Sequence, residues 1–278
     1  MFEEIVAKAL HEDCVFDDIT SDLTIPKNCL ISFEIKTREQ IIFCGKEIIE
    51  EVFFQLKKSA KFKNSKLDFR ILVKDGDVLK SEESIARGHG DAKLIFAAER
   101  VILNFIQHLS GVATTTREFV TKLANKKIKI LDTRKTLPGL RDLEKYAVKV
   151  GGGKNHRHNL AEMILIKDNH IVAAGGVSQA ILAAKKSRTK KIEIECDNFK
   201  QVAEAVKSRP DIIMLDNMKV AEIKKCAALI RAHKIKIEVS GGVNLQNIKK
   251  FSDLDIDFIS VGALTHSARA VDIGLDLS

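Results

Sequence analysis

Six short segments rich in β-branched residues alternate with helical stretches along the second half of the chain. They lie at residues 128–135, 163–170, 191–198, 211–217, 236–242 and 257–263. Strands that recur at this spacing with helices between them form parallel sheets, because right-handed crossovers return each strand beside an earlier one. The pattern therefore predicts an α/β fold, with helices over 177–187, 199–208 and 220–233.

Each of the six segments begins with apolar residues and ends with polar residues or glycine. The ends are Arg134-Lys135, Lys167-Asp168, Glu195, Asp216, Ser240-Gly241-Gly242 and Val261-Gly262-Ala263. In α/β barrels the carboxyl ends of the strands build the active site. Glu193 and Glu195 share one face of their segment, and acids that point into a barrel are costly unless they meet cations or a ligand. We therefore interpret this edge of the sheet as a functional site.

The first part of the chain has a different pattern. Residues 1–13 predict a short amphipathic helix, and residues 30–90 predict an α+β unit with short strands. Asp75-Gly76-Asp77 separates two β-rich runs, which predicts a hairpin between them. From Asp91 onward, apolar residues at three- and four-residue steps predict a helix whose polar stripe carries Arg100. Such a stripe is usually only solvated, but it can also present an arginine to a neighbouring site.

Composition narrows the classes of partner. The 278 residues are 45% hydrophobic, enough for a substantial core, and they carry a formal net charge of +8. A positive balance favours an acidic partner, either nucleic acid or a small polyanion. The lysine pairs are scattered, as is typical of helix ends and turns, and no nucleic-acid, Rossmann or Walker motif occurs. We therefore expect a small polyanion as the ligand and no nucleic acid as a partner.

Five widely spaced cysteines without a CxxC pair indicate reduced thiols, not a zinc site or a disulfide framework. The acidic, amphipathic N-terminus is unlike a signal peptide. The apolar runs are shorter than the roughly 20 residues that span a bilayer. These features predict a cytoplasmic protein that does not bind membranes.

Cationic side chains are dense between residues 132 and 170. They include Arg134, Lys135, Arg141, Lys154, His156, Arg157, His158 and Lys167. Guanidinium groups bind carboxylates and phosphates at two points, and lysine adds a point charge, so the cluster favours a polyanion site. Two alternatives remain open. Lys167 can be the Schiff-base lysine of a barrel aldolase, and the histidines can bind a metal, although no third ligand stands at a recognisable spacing.

Acids and glycines at the later strand ends suit a ligand with hydroxyl and phosphate groups. Glu195 and Asp216 offer the oxygen ligands that Mg²⁺ prefers, or alternatively they pair with Lys167 and Arg134. The glycines of 240–242 and 261–263 let backbone N–H groups face a phosphate, as late barrel loops commonly do.

On these residues the chain resembles the quinolinate phosphoribosyltransferase family, the carboxylating nicotinate-nucleotide pyrophosphorylases. The matching segments are ERVILNFIQHLSGVAT, DTRKTLPGLRDLEKYAVKVGGGKNHRHNL, ILIKDNHI, IEIECDN, IMLDN and IEVSGGV, with a weaker match at DDITSDLTIP. The resemblance implies an α/β sandwich domain over 1–110. It also implies an incomplete, about six-stranded α/β barrel over 111–278, whose C-terminal end packs back on the first domain. The expected assembly is a homodimer with shared active sites, or a hexamer built from three such dimers.

The resemblance also implies roles for individual residues. The quinolinate carboxylates would bind to Arg134, Lys135, Arg157 and Lys167, with Thr133 and His156 beside them, while Arg100 enters from the other subunit. Glu195 and Asp216 would contact the ribose hydroxyls and a Mg²⁺ cofactor, directly or through water. The 5-phosphate would lie against Ser240, Gly241, Gly242, Val261, Gly262 and Ala263. The implied catalytic residues are Lys135, Lys167, Glu195 and Asp216.

The implied activity is that of a nicotinate-nucleotide diphosphorylase (carboxylating), a pentosyltransferase of de novo NAD biosynthesis. Phosphoribosyl pyrophosphate and quinolinate would give nicotinate mononucleotide, pyrophosphate and CO₂. An oxocarbenium-like transition state needs positioning and electrostatics, which agrees with a pattern that lacks a Ser or Cys nucleophile. The alternative is a related phosphoribosyltransferase acting on nicotinate or another small aromatic acid, although a monocarboxylate should need fewer cations.

Two positions depart from the family pattern. Asp17 stands where the family usually has Gly, and Val101 follows Arg100 where many members have Thr. Neither difference removes a charged contact.

Overall fold

The computed structural model describes residues 2–277, which separate into two compact units. One unit holds the chain up to Thr115, together with Pro138–Gly151 and the residues from Ala268 onward. The other unit holds Thr116–Leu137 and Gly152–Ser267. Each unit has its own principal sheet.

Short helices and strands alternate in the first unit. Its elements are α1 (Glu3–Glu12), a 3₁₀ turn (Val15–Asp17), α2 (Ile19–Thr24), β1 (Leu30–Thr37), β2 (Ile41–Ile42), α3 (Lys46–Lys58), β3 (Leu67–Ile71), β4 (Val78–Leu79), β5 (Ser84–Asp91), the first part of α4 (Ala92–Leu123), α5 (Arg141–Val150) and β12 (Ile273–Leu277). The principal sheet is antiparallel, in the order β12-β1-β5-β3. Its core contains Phe33 and Phe53, whose ring centroids lie 6.0 Å apart, and half-buried Phe69 packs on Phe53 at 4.8 Å. Such aromatic contacts join α3 to the sheet.

The hairpin predicted around Asp75-Gly76-Asp77 is wrong. β3 pairs with β5, and β4 pairs with β2, so the two β-rich runs do not pair with each other. The turn itself is present, because Gly76 adopts a φ of +96° and its N–H donates to the carbonyl of Phe43 at 2.9 Å. The carboxylate of Asp75 also accepts from the N–H of Gly45 at 2.9 Å. These tertiary contacts direct the chain away from β3, which local turn chemistry could not reveal.

The helix predicted from Asp91 onward is present as α4. Leu94 and Ala98 on its apolar stripe are fully buried, whereas the side chain of Arg100 is 58% exposed. The predicted division into an apolar and a polar stripe is therefore confirmed. None of the helices within residues 2–277 is both long and apolar enough to cross a bilayer.

The second unit repeats strand and helix. Its elements are β6 (Lys129–Leu131), β7 (Ile164–Ile166), α6 (Asp168–Ala174), α7 (Val177–Ala184), β8 (Ile192–Cys196), α8 (Phe199–Ser208), β9 (Ile212–Asp216), α9 (Val220–Ala232), β10 (Lys236–Ser240), a 3₁₀ turn (Ile248–Phe251), β11 (Phe258–Ser260) and α10 (Ala263–His266), with the end of α4. All six predicted strands are present, and so are the three predicted helices between them.

The six strands run parallel in the order β6-β11-β10-β9-β8-β7. β6 and β7 follow each other along the chain but lie at opposite edges of the sheet, so the barrel is open between them. The prediction of an incomplete six-stranded α/β barrel is confirmed.

A segment after α5 continues along the free edge of β6. The N–H of Lys154 donates to the carbonyl of Ile130 at 2.8 Å, and the N–H of Asp132 donates to the carbonyl of Lys154 at 3.1 Å. This pairing fixes the backbone directly before His156 and Arg157.

Candidate active site

A cavity of about 720 Å³ lies at the carboxyl ends of the barrel strands. Its lining includes Thr133, Arg134, Lys135, His156, Arg157, Lys167, Glu195, Asp216, Ser240, Gly241, Gly242, Val261, Gly262 and Ala263. Every site residue predicted on the barrel therefore contributes to one cavity. Arg100, the remaining predicted residue, belongs to the first unit. Parallel strands bring the side chains of the cavity lining together because the carboxyl ends of the strands share one edge of the sheet.

Two arginines form a cationic wall of the cavity. Arg157 is 7% exposed, and its Nη1 donates to the carbonyl of Met163 at 2.9 Å. Burial, reinforced by the charge of Arg134, lowers the pKa of Arg157. The Nε atoms of both arginines are buried and have no hydrogen-bond partner within residues 2–277. Buried donors are normally paired, so this wall is suited to an anionic ligand.

Lys167 and Glu195 form an ion pair at the next strand ends. Lys167 Nζ lies 3.0 Å from Glu195 Oε2, with the lysine 47% and the glutamate 12% exposed. The N–H of Lys167 donates to Nδ1 of His170 at 3.0 Å, which fixes the backbone where β7 ends. The sequence left open whether Glu195 pairs with Lys167, and this ion pair is present. Both side chains nevertheless line the cavity, where a ligand can contact them.

Carboxylates gather where β8 and β9 end. Glu195, Asp197 and Asp216 each have an oxygen within 4.8 Å of the others. Three acidic oxygens at this spacing fit a hard divalent cation such as Mg²⁺. Asp197 was missed by the sequence analysis, although its place just beyond the end of β8 is the signal that could have identified it.

Backbone conformation favours glycine at both positions after β10, and close packing requires it at Gly241. Gly241 and Gly242 have φ values of +90° and +63°. A Cβ on Gly241 would lie 2.3 Å from Asn217 Oδ1 and 2.6 Å from its backbone nitrogen. The N–H of Asn217 donates to the carbonyl of Ser240 at 2.9 Å, so the ends of β9 and β10 are held together.

Lys135 lies beside the loop after β11. A Cβ added to Gly262 would come within 3.1 Å of Lys135 Cδ and of the His266 ring. Thr265 Oγ1 donates to the carbonyl of Lys135 at 2.7 Å. Lys135 is thus placed toward the glycine loops that the sequence predicted for phosphate. His266, Asn217 and Asn244 also line the cavity and were not predicted. His266 follows Gly262 by only four residues, which is the signal that could have suggested it.

His156 lies between the cavity and the barrel interior. Its side chain is 8% exposed, and its Nε2 lies 3.0 Å from Glu193 Oε2 and 3.7 Å from Glu238 Oε1. Burial raises the pKa of both glutamates, and their mutual repulsion raises that of Glu238 further. Glu238 was also missed, although it alternates with Ile237 and Val239 on a buried strand.

The cavity of this open parallel barrel has arginine donors on one wall, and carboxylates and glycine loops on the others. These features define an α/β-barrel enzyme whose site takes anionic small molecules. Sequence comparison identifies the family within this class. The family model for the quinolinate phosphoribosyl transferase N-terminal domain matches residues 18–110, and the model for the C-terminal domain matches residues 112–276. The chain belongs to the quinolinate phosphoribosyltransferase family.

Individual relatives agree with this assignment. A probable carboxylating nicotinate-nucleotide pyrophosphorylase from Methanocaldococcus jannaschii is 42% identical, covering 99% of this chain and 96% of the relative. A carboxylating nicotinate-nucleotide pyrophosphorylase from Mycobacterium leprae is 38% identical, with coverage of 99% and 96%. The crystal structure of nicotinate-nucleotide pyrophosphorylase from Ehrlichia chaffeensis has a TM-score of 0.93 at 42% identity, covering 100% of this chain and 99% of that chain.

Proposed function

We propose that this protein transfers a phosphoribosyl group from phosphoribosyl pyrophosphate to quinolinate with decarboxylation, giving nicotinate mononucleotide, pyrophosphate and CO₂. The observation that carries the proposal is that one cavity has arginines with buried Nε donors on one wall, and carboxylates and glycine loops on the other. The activity belongs to the nicotinate-nucleotide diphosphorylases (carboxylating) and supplies de novo NAD biosynthesis. It agrees with the names of the relatives in both sequence and structure comparisons.

The cationic wall is the quinolinate subsite in this proposal. Arg134 and Arg157 each have a buried Nε without a partner within residues 2–277, and Lys167 stands at the adjacent strand end. Two neighbouring ring carboxylates need several donors on one side, which these side chains offer together. Thr133 and His156 border the same wall.

The remaining wall is the phosphoribosyl pyrophosphate subsite. Glu195 and Asp216 accept hydrogen bonds from the ribose hydroxyls, and the backbone of Ser240–Gly242 and Val261–Ala263 receives the 5-phosphate. Mg²⁺ held by Glu195 and Asp216, with Asp197 beside them, would offset the charge of the departing pyrophosphate. Lys135, beside Gly262, adds positive charge on the same side of the cavity.

The reaction needs positioning more than a nucleophilic side chain. The pyridine nitrogen attacks C1 of the sugar while the C1–O bond to pyrophosphate breaks, and Glu195 and Asp216 stabilise the oxocarbenium-like transition state electrostatically. The ring then carries a positive charge. The 2-carboxylate leaves as CO₂, its bonding electrons remain on the ring carbon beside that charge, and a proton replaces it.

We also propose a cytoplasmic homodimer in which Arg100 completes the partner's site. The exposed position of Arg100 on α4 supports such a role, since its side chain is 58% exposed and lies 4.0 Å from Glu99. The absence of disulfides among the cysteines of residues 2–277 is typical of a reducing compartment. A hexamer built from three such dimers is a further assembly, to be tested by measuring the size of the particle in solution.

The test is an assay with protein, Mg²⁺, phosphoribosyl pyrophosphate and either quinolinate or nicotinate. We expect mononucleotide and CO₂ in equal amounts from quinolinate, and little product from nicotinate. Product from nicotinate without turnover of quinolinate would contradict the proposal and favour a monocarboxylate enzyme. Omitting Mg²⁺ with a chelator present should abolish turnover, which tests the cofactor separately.

A further inference from the structure

His156 and Arg157 separate two cavities of the second unit. Both residues line the active-site cavity and also a second cavity of about 460 Å³. The second cavity includes Ile212 and Phe258, the first residues of β9 and β11. It therefore opens at the amino ends of the strands, opposite the proposed substrate site.

Hydrogen bonds hold His156 from three directions. Its backbone N–H donates to Asp132 Oδ1 at 2.8 Å. Its ring Nδ1 accepts from the N–H of Arg157 at 2.8 Å, so the ring proton is on Nε2. That Nε2–H donates to Glu193 Oε2 at 3.0 Å. The ring cannot rotate without breaking the bonds at both nitrogens.

The acceptor for this histidine is fully buried. Glu193 has no exposed surface, and its other oxygen, Oε1, has no hydrogen-bond partner within residues 2–277. Glu238 lies beside it, 1% exposed, and accepts from Ser260 Oγ at 2.5 Å. Buried carboxyl groups are costly, and an apolar side chain would fill the same volume without that cost. Packing alone does not account for a glutamate here.

We propose that Glu193 is a positioning residue for the quinolinate subsite, because it anchors His156 and thereby fixes the Arg157 backbone and guanidinium. The link is short, since His156 Nδ1 bonds directly to the N–H of Arg157, and Arg157 Nη1 is held in turn by the Met163 carbonyl. Glu193 acts from the second cavity and does not touch the substrate. The inference rests on the proposed function, which assigns Arg157 to the quinolinate carboxylates.

The test compares two conservative variants that separate the length of the side chain from its carboxyl chemistry. Glu193→Gln keeps the length of the side chain and an oxygen acceptor, whereas Glu193→Asp keeps the carboxyl group but shortens the side chain by one methylene. Steady-state assays measure KM for quinolinate, KM for phosphoribosyl pyrophosphate, and kcat. Thermal unfolding and circular dichroism establish that each variant is folded. Glu204→Gln, whose carboxylate accepts from the Ser178 N–H at the start of α7, is the matched control.

We expect Glu193→Asp to raise the quinolinate KM at least about tenfold, with the KM for phosphoribosyl pyrophosphate changed less than about twofold. Both KM values of Glu193→Gln should remain within about threefold of the wild type, and those of Glu204→Gln should be unchanged. Should Glu193→Asp not fold, Glu193→Leu replaces it with the same expectation, since leucine fills the volume without an acceptor.

Two results would overturn the inference while leaving the proposed function intact. One is an equal rise in KM for both substrates in a folded Glu193→Asp protein. The other is a quinolinate KM for Glu193→Asp that is no higher than that of Glu193→Gln. Failure of the wild type to turn over quinolinate would instead refute the proposed function, and the inference with it.

Discussion

Arg134 lines the cationic wall with a buried Nε that has no partner within residues 2–277. If this donor binds a ring carboxylate, Arg134→Ala should weaken quinolinate binding by about 10- to 150-fold, since hydrogen bonds to charged groups contribute roughly 1.5–3 kcal/mol. Phosphoribosyl pyrophosphate binding should change less than about threefold. Calorimetric titration of each substrate measures the difference. Arg188→Ala, at an exposed loop position, is the control. An equal loss for both substrates would contradict the assignment.

The buried carboxyl group of Glu238 should make the stability of the protein depend on pH, whether or not the protein turns over substrate. Burial and the neighbouring Glu193 raise its pKa above the ordinary value of 4.5. Between that value and the raised one, the folded protein binds more protons than the unfolded chain, so the free energy of unfolding falls as pH rises. Glu238→Gln removes this titration. The loss of stability between pH 5 and pH 8 should then shrink by at least about 1.4 kcal/mol, the equivalent of one pKa unit.

Urea unfolding at several pH values measures this effect. The groups closest to Glu238 are Glu193, His156 and Ser260, and all three are unchanged in the variant. Glu4→Gln, an exposed position on α1, controls for the loss of one negative charge. Parallel pH profiles for wild type and Glu238→Gln would contradict the prediction.

The sequence pattern predicted most of the residues that line the cavity, but not the buried glutamate Glu238 in the barrel interior. Arg134, Lys167 and Asp216 end predicted strands, so period and polarity were enough to place them at one edge. Glu238 lies within a strand, where a single polar residue between Ile237 and Val239 does not show which way the sheet curves. Its approach to His156, at 3.7 Å, depends on how the sheet curves across several strands. Such non-local contacts have no signature in one segment.

At the scale of elements, substitutions in the loop after β10 can measure how tightly the ends of β9 and β10 are joined. Gly241 and Gly242 both have positive φ, so alanine at either position costs about 1 kcal/mol in backbone strain. The new Cβ at Gly241 would collide, 2.3 Å from Asn217 Oδ1, whereas at Gly242 it would meet no atom of residues 2–277 within 4 Å apart from its chain neighbours. Overpacking adds roughly 1–3 kcal/mol. Gly241→Ala should therefore destabilise the protein by about 2–4 kcal/mol and Gly242→Ala by about 1 kcal/mol.

Chemical denaturation of the two alanine variants provides the comparison, and each serves as the control for the other. Equal stabilities would show that Asn217 moves aside freely and that the strand ends are not tightly coupled.

Elements of the second unit were predictable because each strand and helix has its own apolar period, and the sequential strands lie mostly side by side. The first unit was less so. The run after β3 carries a good turn signal at Asp75-Gly76-Asp77, yet β4 pairs with β2 because Gly76 bonds to the carbonyl of Phe43. The partner of β1 at the sheet edge is β12, more than 200 residues later. Pairing at that separation is not encoded in local pattern.

For the whole molecule, the proposed sharing of Arg100 makes a prediction that no single-chain variant can test. Arg100→Ala and Arg134→Ala should each be weakly active alone. If Arg100 serves the partner's site, a mixed dimer contains one site with an intact barrel and an intact Arg100, and one site with neither. Random exchange makes half of the dimers mixed, so an equal mixture should recover about one quarter of wild-type activity.

The matched control mixes Arg134→Ala with Lys167→Ala, whose changes both lie in the same barrel cavity. Every site in that mixture keeps one damaged barrel, so no activity should return. Subunit exchange is followed with differently tagged chains, and the activity is measured as CO₂ released from quinolinate. Recovery only in the Arg100 mixture would establish that two chains build each site. Exchange without recovery would place Arg100 outside the site, and the cationic wall of a single barrel would then have to hold both quinolinate carboxylates.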